Sequence, residues 1–461
     1  MHYESTRDRS SRKTFREAVS EGLSPEGGLY VPSEVPNLTA ELPRWVDFDY
    51  PTMALRIYEI FAGDSLSQKE REELVPSSLS RFSTPEVSPI VRHGKTWILE
   101  LFHGPTLSFK DVALQTLGCL FEHWPSPTGQ RTVLGATSGD TGSAAIAGVQ
   151  GRKGVRAFIL FPEGRVSSVQ ELQMTTVPDK NVQCLAIEGS FDDCQNIVKT
   201  LFADVEFREK VGLSAVNSIN WARITSQIVY YFYGYFSWLK KSGNSYGTPL
   251  PVSVPTGNFG DILAGYMAKA MGLPLGELII ASNRNDILTR FFETGSYSMN
   301  EVEPSLSPAM DIQISSNFER LLYLLSGRDD NWMREKMSAL KEKGTFSVEP
   351  EILEQFRAIF KAGRASDEEC LETIRNFKNE HGYTIDPHTA VGVHVAKSLK
   401  PDSEILSLST AHPGKFQEAV ENAINEELRL PDSLESLKGL PTRKTLLPPD
   451  VEAVREFIEG S

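Results

Sequence analysis

From Thr132 to Val216 the chain keeps one rhythm: a short run of β-branched and apolar residues, a turn, a helical stretch, then another apolar run. Thr132–Ala136, Ala157–Phe161, Val182–Ile187 and Leu213–Val216 each have the length and composition of a buried strand. Parallel strands need long crossovers, and helices supply them, so this rhythm predicts an α/β fold built on a parallel sheet. A second set of runs, Pro251–Pro255, Leu278–Ser282 and Ile405–Ser409, predicts a second parallel-sheet unit. Two such units meet at a cleft, and ligands bind there at the carboxyl ends of strands.

The remainder of the 461 residues, enough chain for two or three domains, is less regular. The first ninety or so read as a separate block ending in the Ser- and Pro-rich linker Pro76–Pro89. Ser296 to Glu380 reads as mostly helical. The tail beyond Leu428, with Pro431, Pro441, Pro448 and Pro449, reads as surface loops and short helices. The apolar stretch Ile224–Leu239 is broken by Thr225, Ser226, Gln227 and Ser237, which suits a buried helix and not a membrane span.

Charge narrows the function. Lys plus Arg is 47 and Asp plus Glu is 61, a net charge of −14. A chain this acidic makes a poor general binder of nucleic acid, although a local cationic pocket can still take a small anion. Cys119, Cys184, Cys194 and Cys370 form no C-x-x-C pair, so neither a structural zinc site nor a disulfide framework is indicated, and no metal is expected. With no apolar signal-peptide core among Met1 to Ser20, a cytoplasmic location is expected.

Three stretches carry chemistry. In Leu101-Phe-His-Gly-Pro-Thr-Leu-Ser-Phe-Lys110-Asp, a turn at Gly104-Pro105 follows the strand-like Trp97–Leu101, and a helix begins near Lys110. Asp111 suits the first turn of a helix. Lys110 opposes the macrodipole by about 0.3–1 kcal/mol, and the same field lowers its proton affinity, as a nucleophilic amine requires. A solvated surface lysine is the ordinary alternative. Gly135-Ala-Thr-Ser-Gly-Asp-Thr-Gly142 joins a strand to a small-residue helix, a ready anion site of free amides, or else a turn capped by Asp140 or Ser138. Val254-Pro-Thr-Gly-Asn-Phe-Gly-Asp261 repeats that design, with a helix from about Ile262 that stops at Gly272. The usual nucleotide fingerprints are missing: Pro89 stands where a Walker A loop ending at His93-Gly-Lys-Thr96 needs its first glycine, and no G-x-G-x-x-G opens a helix.

The motifs F-H-G-P-T-x-x-F-K-D, T-S-G-D-T-G, P-T-G-N-F-G-D and S-T-A-H-P-x-K-F occur in that order. Together they resemble threonine synthase of the longer, yeast- and enterobacterial-like type. Ser5-Thr6-Arg7, Glu26–Tyr30, Gln170–Thr176, Ile219–Arg223, Ser315–Leu321 and Asp386–Gly392 extend the similarity over nearly the whole chain. Only Gly414 departs from the motifs, where relatives more often carry alanine.

The resemblance implies an α/β, fold type II pyridoxal-5′-phosphate enzyme of the tryptophan synthase β-like kind. Its expected layout is an N-terminal domain (residues 1–92), a large cofactor-binding domain (93–110 and 219–430), a small mobile α/β domain (111–218) and a C-terminal tail (431–461). Lys110 would form the Schiff base with pyridoxal phosphate. Gly257, Asn258, Phe259, Gly260 and Asp261 would hold the cofactor phosphate, and Thr410 the pyridine nitrogen. Thr137, Ser138, Gly139, Asp140 and Thr141 would bind the substrate carboxylate. For the substrate phosphate, Ser138, Arg223, Asn317 and Arg320 are the candidates.

The implied reaction converts O-phospho-L-homoserine and water to L-threonine and phosphate, the last step of threonine biosynthesis. A phospho-lyase of the same fold, releasing 2-oxobutyrate and ammonia, is the nearest alternative, and the intact N-F-G-D and H-G-P-T-x-x-F-K-D motifs favour the synthase. No nucleic-acid or membrane partner is implied, and a monomer or weak homodimer is expected.

Overall fold

The apolar runs assemble into two separate sheets. The computed structural model describes residues 1–461. In the larger sheet the spatial order is Phe360–Arg364, Leu275–Ser282, Leu250–Pro255, Ile405–Ser409, Thr96–Glu100 and Ile90–His93. Its first five strands are parallel, and Ile90–His93 closes one edge as an antiparallel hairpin arm. The smaller sheet is parallel throughout, in the order Thr445–Leu447, Val182–Ile187, Val155–Pro162, Arg131–Ala136 and Leu213–Ser214.

Burial on both faces explains why these strands read as unbroken apolar runs. Side chains alternate along each strand. Leu278 and Ile280 enter the core shared with helix Trp221–Ser242, while Ile279 and Ala281 enter the core under helix Pro387–Leu399. The buried helix expected at Ile224–Leu239 thus lies inside Trp221–Ser242, capped by the Asn220 side chain.

Several boundaries differ from expectation. Ile90–His93 pairs with Thr96–Glu100, so the larger unit begins at Ile90, inside the block assigned to the N-terminal domain. That N-terminal block is not separate. Its sheet of Tyr3–Ser5, Asp8–Lys13 and Tyr30–Pro32 packs Tyr3 against Phe15 and Trp221, in one core with the larger sheet. Pro76 belongs to helix Gln68–Leu79, one turn from its end, so the linker is shorter than read. Leu213–Val216 is a strand only at Leu213–Ser214. The helical region contains an unexpected edge strand, Phe360–Arg364, whose composition gives little signal because only Phe360 is buried.

The tail is the largest correction. Its strand Thr445–Leu447 extends the smaller sheet beside Val182–Ile187, and Val454 and Ile458 of helix Val451–Gly460 are fully buried in that sheet's core. Prolines at 441, 448 and 449 punctuate this segment without excluding the strand, because an edge strand needs few donors.

Helices Lys110–His123 and Asp140–Val149 cross at glycines. A Cβ on Gly118 would lie 1.9 Å from the Gly148 carbonyl oxygen, and one on Gly148 would lie 2.4 Å from that of Leu114. Backbone sets this contact, so it cannot relax by a side-chain rotation. Gly118→Ala is therefore expected to destabilise the protein by about 1–3 kcal/mol, read as a lower thermal midpoint. Because the two helices start at Lys110 and Asp140, the same substitution should also reduce turnover in the folded fraction. An unchanged midpoint would contradict the close crossing.

Candidate active site

Lys110 is held by the end of a neighbouring strand. Leu101 N–H donates to Ser409 O (2.9 Å), Phe109 N–H to Thr410 O (2.8 Å) and His412 N–H to Leu107 O (3.0 Å). These bonds seat the Leu101–Phe109 loop beside Thr410 at the carboxyl end of Ile405–Ser409. The turn is shaped around Asp111, which is fully buried and accepts from the Thr106 amide (2.9 Å) and hydroxyl (2.7 Å). A Cβ on Gly104 would stand 2.4 Å from that of Asp111, and Leu107 takes a φ of 59° to complete the turn. Burial pushes the Asp111 carboxyl up to about 6.

The lysine itself is 7% exposed and opens helix Lys110–His123. Burial lowers its proton affinity below the ordinary lysine value, the Asp140 carboxylate opposes this, and the cations of Lys415 and Arg223 add to the lowering. Desolvation in this way disfavours the charged form of the amine.

The second loop is a row of unused donors. No protein acceptor takes the backbone N–H groups of Gly257, Asn258, Phe259, Gly260, Asp261 or Ile262, which run into the start of helix Gly260–Ala270. Phe259 adopts φ 61°, and its ring lies among Phe318 and Phe360, so it contributes its amide and not its side chain. Gly257 must lack a Cβ, which would meet the Ala309 carbonyl oxygen at 2.8 Å. The Asp261 side chain turns away from the loop. Its carboxylate accepts from the Tyr230 hydroxyl (2.7 Å) and the Tyr231 hydroxyl (2.9 Å) in the core behind the loop, and burial pushes it up to about 6. It anchors the helix start, leaving only its amide for an anion.

In the third loop the Thr137 hydroxyl accepts from the amides of Gly139 and Gly142, both at 2.9 Å, and so pins the turn. Gly139 has φ 147° and is the N-cap of helix Asp140–Val149, so neither Asp140 nor Ser138 caps it. The amides of Ser138, Asp140 and Thr141 find no protein acceptor. Asp140 cannot receive a substrate carboxylate on its own side chain, which lies 3.5 Å from the Lys110 amine and 2.9 Å from that of Lys415. Those two cations hold its carboxyl well below the usual range against the opposing effect of burial.

Of the candidate phosphate ligands, Ser138 is free and exposed, and of the three larger side chains only Arg223 remains available. Its Nη1 donates to Val216 O (3.0 Å), its Nε has no acceptor, and no carboxylate pairs with it although it is 3% exposed. Burial pulls it down to about 10. Arg320 is fully buried and committed: its Nε donates to Tyr30 O (2.9 Å), and its other nitrogens to Ile219 O and Asn317 Oδ1. Asn317 in turn donates to Ser218 O (3.2 Å) and Asn258 O (3.0 Å). The pair braces the 257–261 loop instead of facing the cleft. Arg320→Met would leave three acceptors without donors, at about 1–3 kcal/mol each. It is expected to lower the thermal midpoint and cofactor affinity with little change in substrate KM, and a selective rise in KM would restore Arg320 as a substrate ligand.

Two further groups escaped the sequence reading. Lys415, in the 3₁₀ turn Pro413–Phe416, is 1% exposed and meets Asp140. His388 accepts the Ala309 amide (3.3 Å), with its other ring nitrogen 2.9 Å from Asp386 Oδ1, and so supports the turn behind Gly257. Both stand in stretches noted above, S-T-A-H-P-x-K-F and Asp386–Gly392. A lysine six residues past a strand carries no sign of burial. Gly414 beside Lys415 is tightly enclosed, with a Cβ there lying 3.1 Å from His412 Nδ1.

The chain is similar to known proteins along nearly its whole length. Residues 2–79 match the family model "Threonine synthase N terminus", residues 83–411 "Pyridoxal-phosphate dependent enzyme" and residues 389–458 "Threonine synthase, C-terminal". The chain is 47% identical to a threonine synthase of Schizosaccharomyces pombe, over 92% of this chain and 90% of the relative. It is 44% identical to that of Pseudomonas aeruginosa, over 99% and 98%. The crystal structure of PLP-bound threonine synthase from Brucella melitensis superposes with a TM-score of 0.95 at 44% identity, covering 100% of this chain and 99% of the other.

Proposed function

The chain belongs to the threonine synthase family of pyridoxal-phosphate-dependent enzymes, and on that premise we propose that it converts O-phospho-L-homoserine and water to L-threonine and phosphate. The observation that carries the reading is the set of a desolvated amine, a row of free amides at a helix start, and a buried arginine without a counter-ion that lies close enough to the amine to lower its proton affinity.

Pyridoxal phosphate fits these residues. A dianionic phosphate matches the amides of residues 257–262 at a helix start, where the macrodipole also favours negative charge. Lys110 is the buried amine able to join an aldehyde, and Thr410, 6% exposed at a strand end, offers a neutral hydroxyl to a ring nitrogen. When bound, the cofactor supplies an electron sink for carbanions formed on the substrate.

The protein's own groups divide the remaining work. Lys110 Nζ, with its proton affinity lowered by burial, takes the substrate Cα proton and later returns it. The amides of Ser138, Asp140 and Thr141, with the Ser138 and Thr141 hydroxyls, suit the substrate carboxylate. Arg223 suits the substrate phosphate, because a guanidinium matches phosphate bidentately and this one has no anion of its own. A Cβ proton is lost as phosphate leaves from Cγ, Cγ takes up a proton to become the methyl group, and water adds its hydroxyl at Cβ with its second proton released. Helices Lys110–His123 and Asp140–Val149 wall the crevice and limit bulk water to what the reaction consumes.

No helix is long and apolar enough to cross a membrane, and no nucleic-acid or membrane partner enters the reading. We place the enzyme in the cytoplasm as a monomer or weak homodimer. Product identification by NMR, with released phosphate measured in parallel, tests the proposal. Threonine equal to phosphate is expected. Phosphate matched by 2-oxobutyrate would keep Lys110 and the cofactor but move the function to a phospho-lyase.

A further inference from the structure

Lys415 is a fully enclosed cation beside Asp140, and the reaction as derived above gives it nothing to do. Its side chain has no exposed surface. It reaches from the Pro413–Phe416 turn, on the larger sheet, to Asp140 at the start of a helix of the smaller sheet. The amine lies 2.9 Å from Asp140 Oδ1 and donates to Thr106 O at 2.6 Å. Gln170 Nε2 donates to the same carboxylate oxygen at 2.8 Å, and Lys110 approaches the other at 3.5 Å. One buried carboxylate therefore faces two lysines.

The two lysines cannot be equivalent. A catalytic Lys110 changes covalent and protonation state during turnover, so its charge cannot serve as a constant partner for Asp140. Lys415 takes no covalent part in turnover: it stays fully buried behind Asp140, its amine held between that carboxylate and the Thr106 carbonyl. Were it removed, Asp140 would be left with Lys110 as its nearest cation, and a buried carboxylate with one remaining partner binds that partner's proton more tightly. We propose that Lys415 is a positioning residue, which holds the Asp140 carboxylate across the crevice and prevents it from retaining the proton on Lys110. The inference rests on the reading that Lys110 carries pyridoxal phosphate. Other charged groups bear on the same cluster: His388 faces Asp140, Arg223 faces Lys110, and Asp111 and His412 face Lys415.

The test uses the cofactor-loaded full-length enzyme and reads the pH midpoint of the bound cofactor's absorption change, alongside turnover. Lys415→Met is expected to raise that midpoint by about one unit, a tenfold change in proton affinity. It should also lower kcat/KM by about 100-fold, the scale of a lost general base. Lys415→Arg, which keeps the charge, should hold the midpoint near that of the unmodified enzyme. The double substitution Lys415→Met with Asp140→Asn removes both charges and should return the midpoint to within about half a unit. If Lys415→Met does not fold, this double variant, which leaves no unpaired carboxylate at position 140, decides by the same criterion. A Lys415→Met enzyme that loses activity with an unmoved midpoint overturns the proposal, as does a double variant whose midpoint stays displaced. Borohydride reduction of the unmodified enzyme separates the two readings. Cofactor fixed on Lys110 with an unmoved midpoint removes only the role of Lys415. Failure to fix cofactor on Lys110 removes both.

Discussion

Lys110→Ala is expected to abolish threonine formation, with turnover reduced by at least about 10⁴-fold, because one amine is lost both as covalent anchor and as proton carrier. The folded state should survive. Alanine is a better helix former than lysine at this position, and the substitution removes a buried cation from a helix N-terminus, where the macrodipole opposes it. Asp140 retains its pairing with Lys415. The thermal midpoint should therefore hold or rise slightly while activity disappears. Borohydride treatment followed by peptide mass analysis gives the direct readout: cofactor fixed to the Lys110 peptide in the unmodified enzyme and to no peptide in the variant. Covalent cofactor persisting in Lys110→Ala would remove this residue from the mechanism. Lys110→Arg should fail equally, since a guanidinium stays protonated and cannot act as a nucleophilic amine.

Arg223→Leu should separate function from stability in opposite directions. A buried guanidinium with one carbonyl contact and no counter-ion is costly to the substrate-free protein. Leucine removes that cost, so the thermal midpoint is expected to rise. Losing a desolvated charge partner for phosphate costs about 3–4 kcal/mol, which corresponds to a fall in kcat/KM of about 10²–10³-fold. Arg223→Lys should recover part of the loss, because an ammonium keeps the charge without the planar fork. Steady-state kinetics on O-phospho-L-homoserine and a thermal melt provide both numbers. A variant with unchanged kcat/KM would place the substrate phosphate elsewhere, with Ser138 the next residue to test.

The two sheets were legible because their strands are buried on both faces, and burial writes itself into sequence as unbroken apolar runs. Val252, Val254, Leu406 and Leu408 are all fully buried. Phe360–Arg364 and Thr445–Leu447 lie at edges, where one side needs no apolar cover, and neither stood out. Within the site, residues acting through backbone were easier to place than those acting through side chains. Glycines at 257 and 260 announce a loop of exposed amides. Nothing in the same motif distinguishes an Asp261 turned toward an anion from one turned toward Tyr230 and Tyr231, since the partners lie about thirty residues away on another helix. Asn317 and Arg320 misled for a related reason. Polar types in a resembling segment suggest ligand contacts, but whether their donors are already spent depends on carbonyls of Tyr30, Ser218 and Ile219, which only the tertiary structure brings together.

The strand order has a consequence for how the chain is made. Ile405–Ser409 sits between Leu250–Pro255 and Thr96–Glu100, and no other strand joins the hairpin that precedes Lys110 to the rest of its sheet. A ribosome releases the first four hundred residues before that strand exists. Until then the hairpin has no neighbour on one side, and the loop bearing Lys110 lacks the backbone of Ser409 and Thr410 against which it is seated. The smaller sheet waits longer still for Thr445–Leu447. Pairings this distant in sequence are slow to form and leave strand edges open in the meantime. Assembly of the crevice is thus a late event in biosynthesis, and newly made chains should depend on protection from aggregation until nearly the whole polypeptide has emerged.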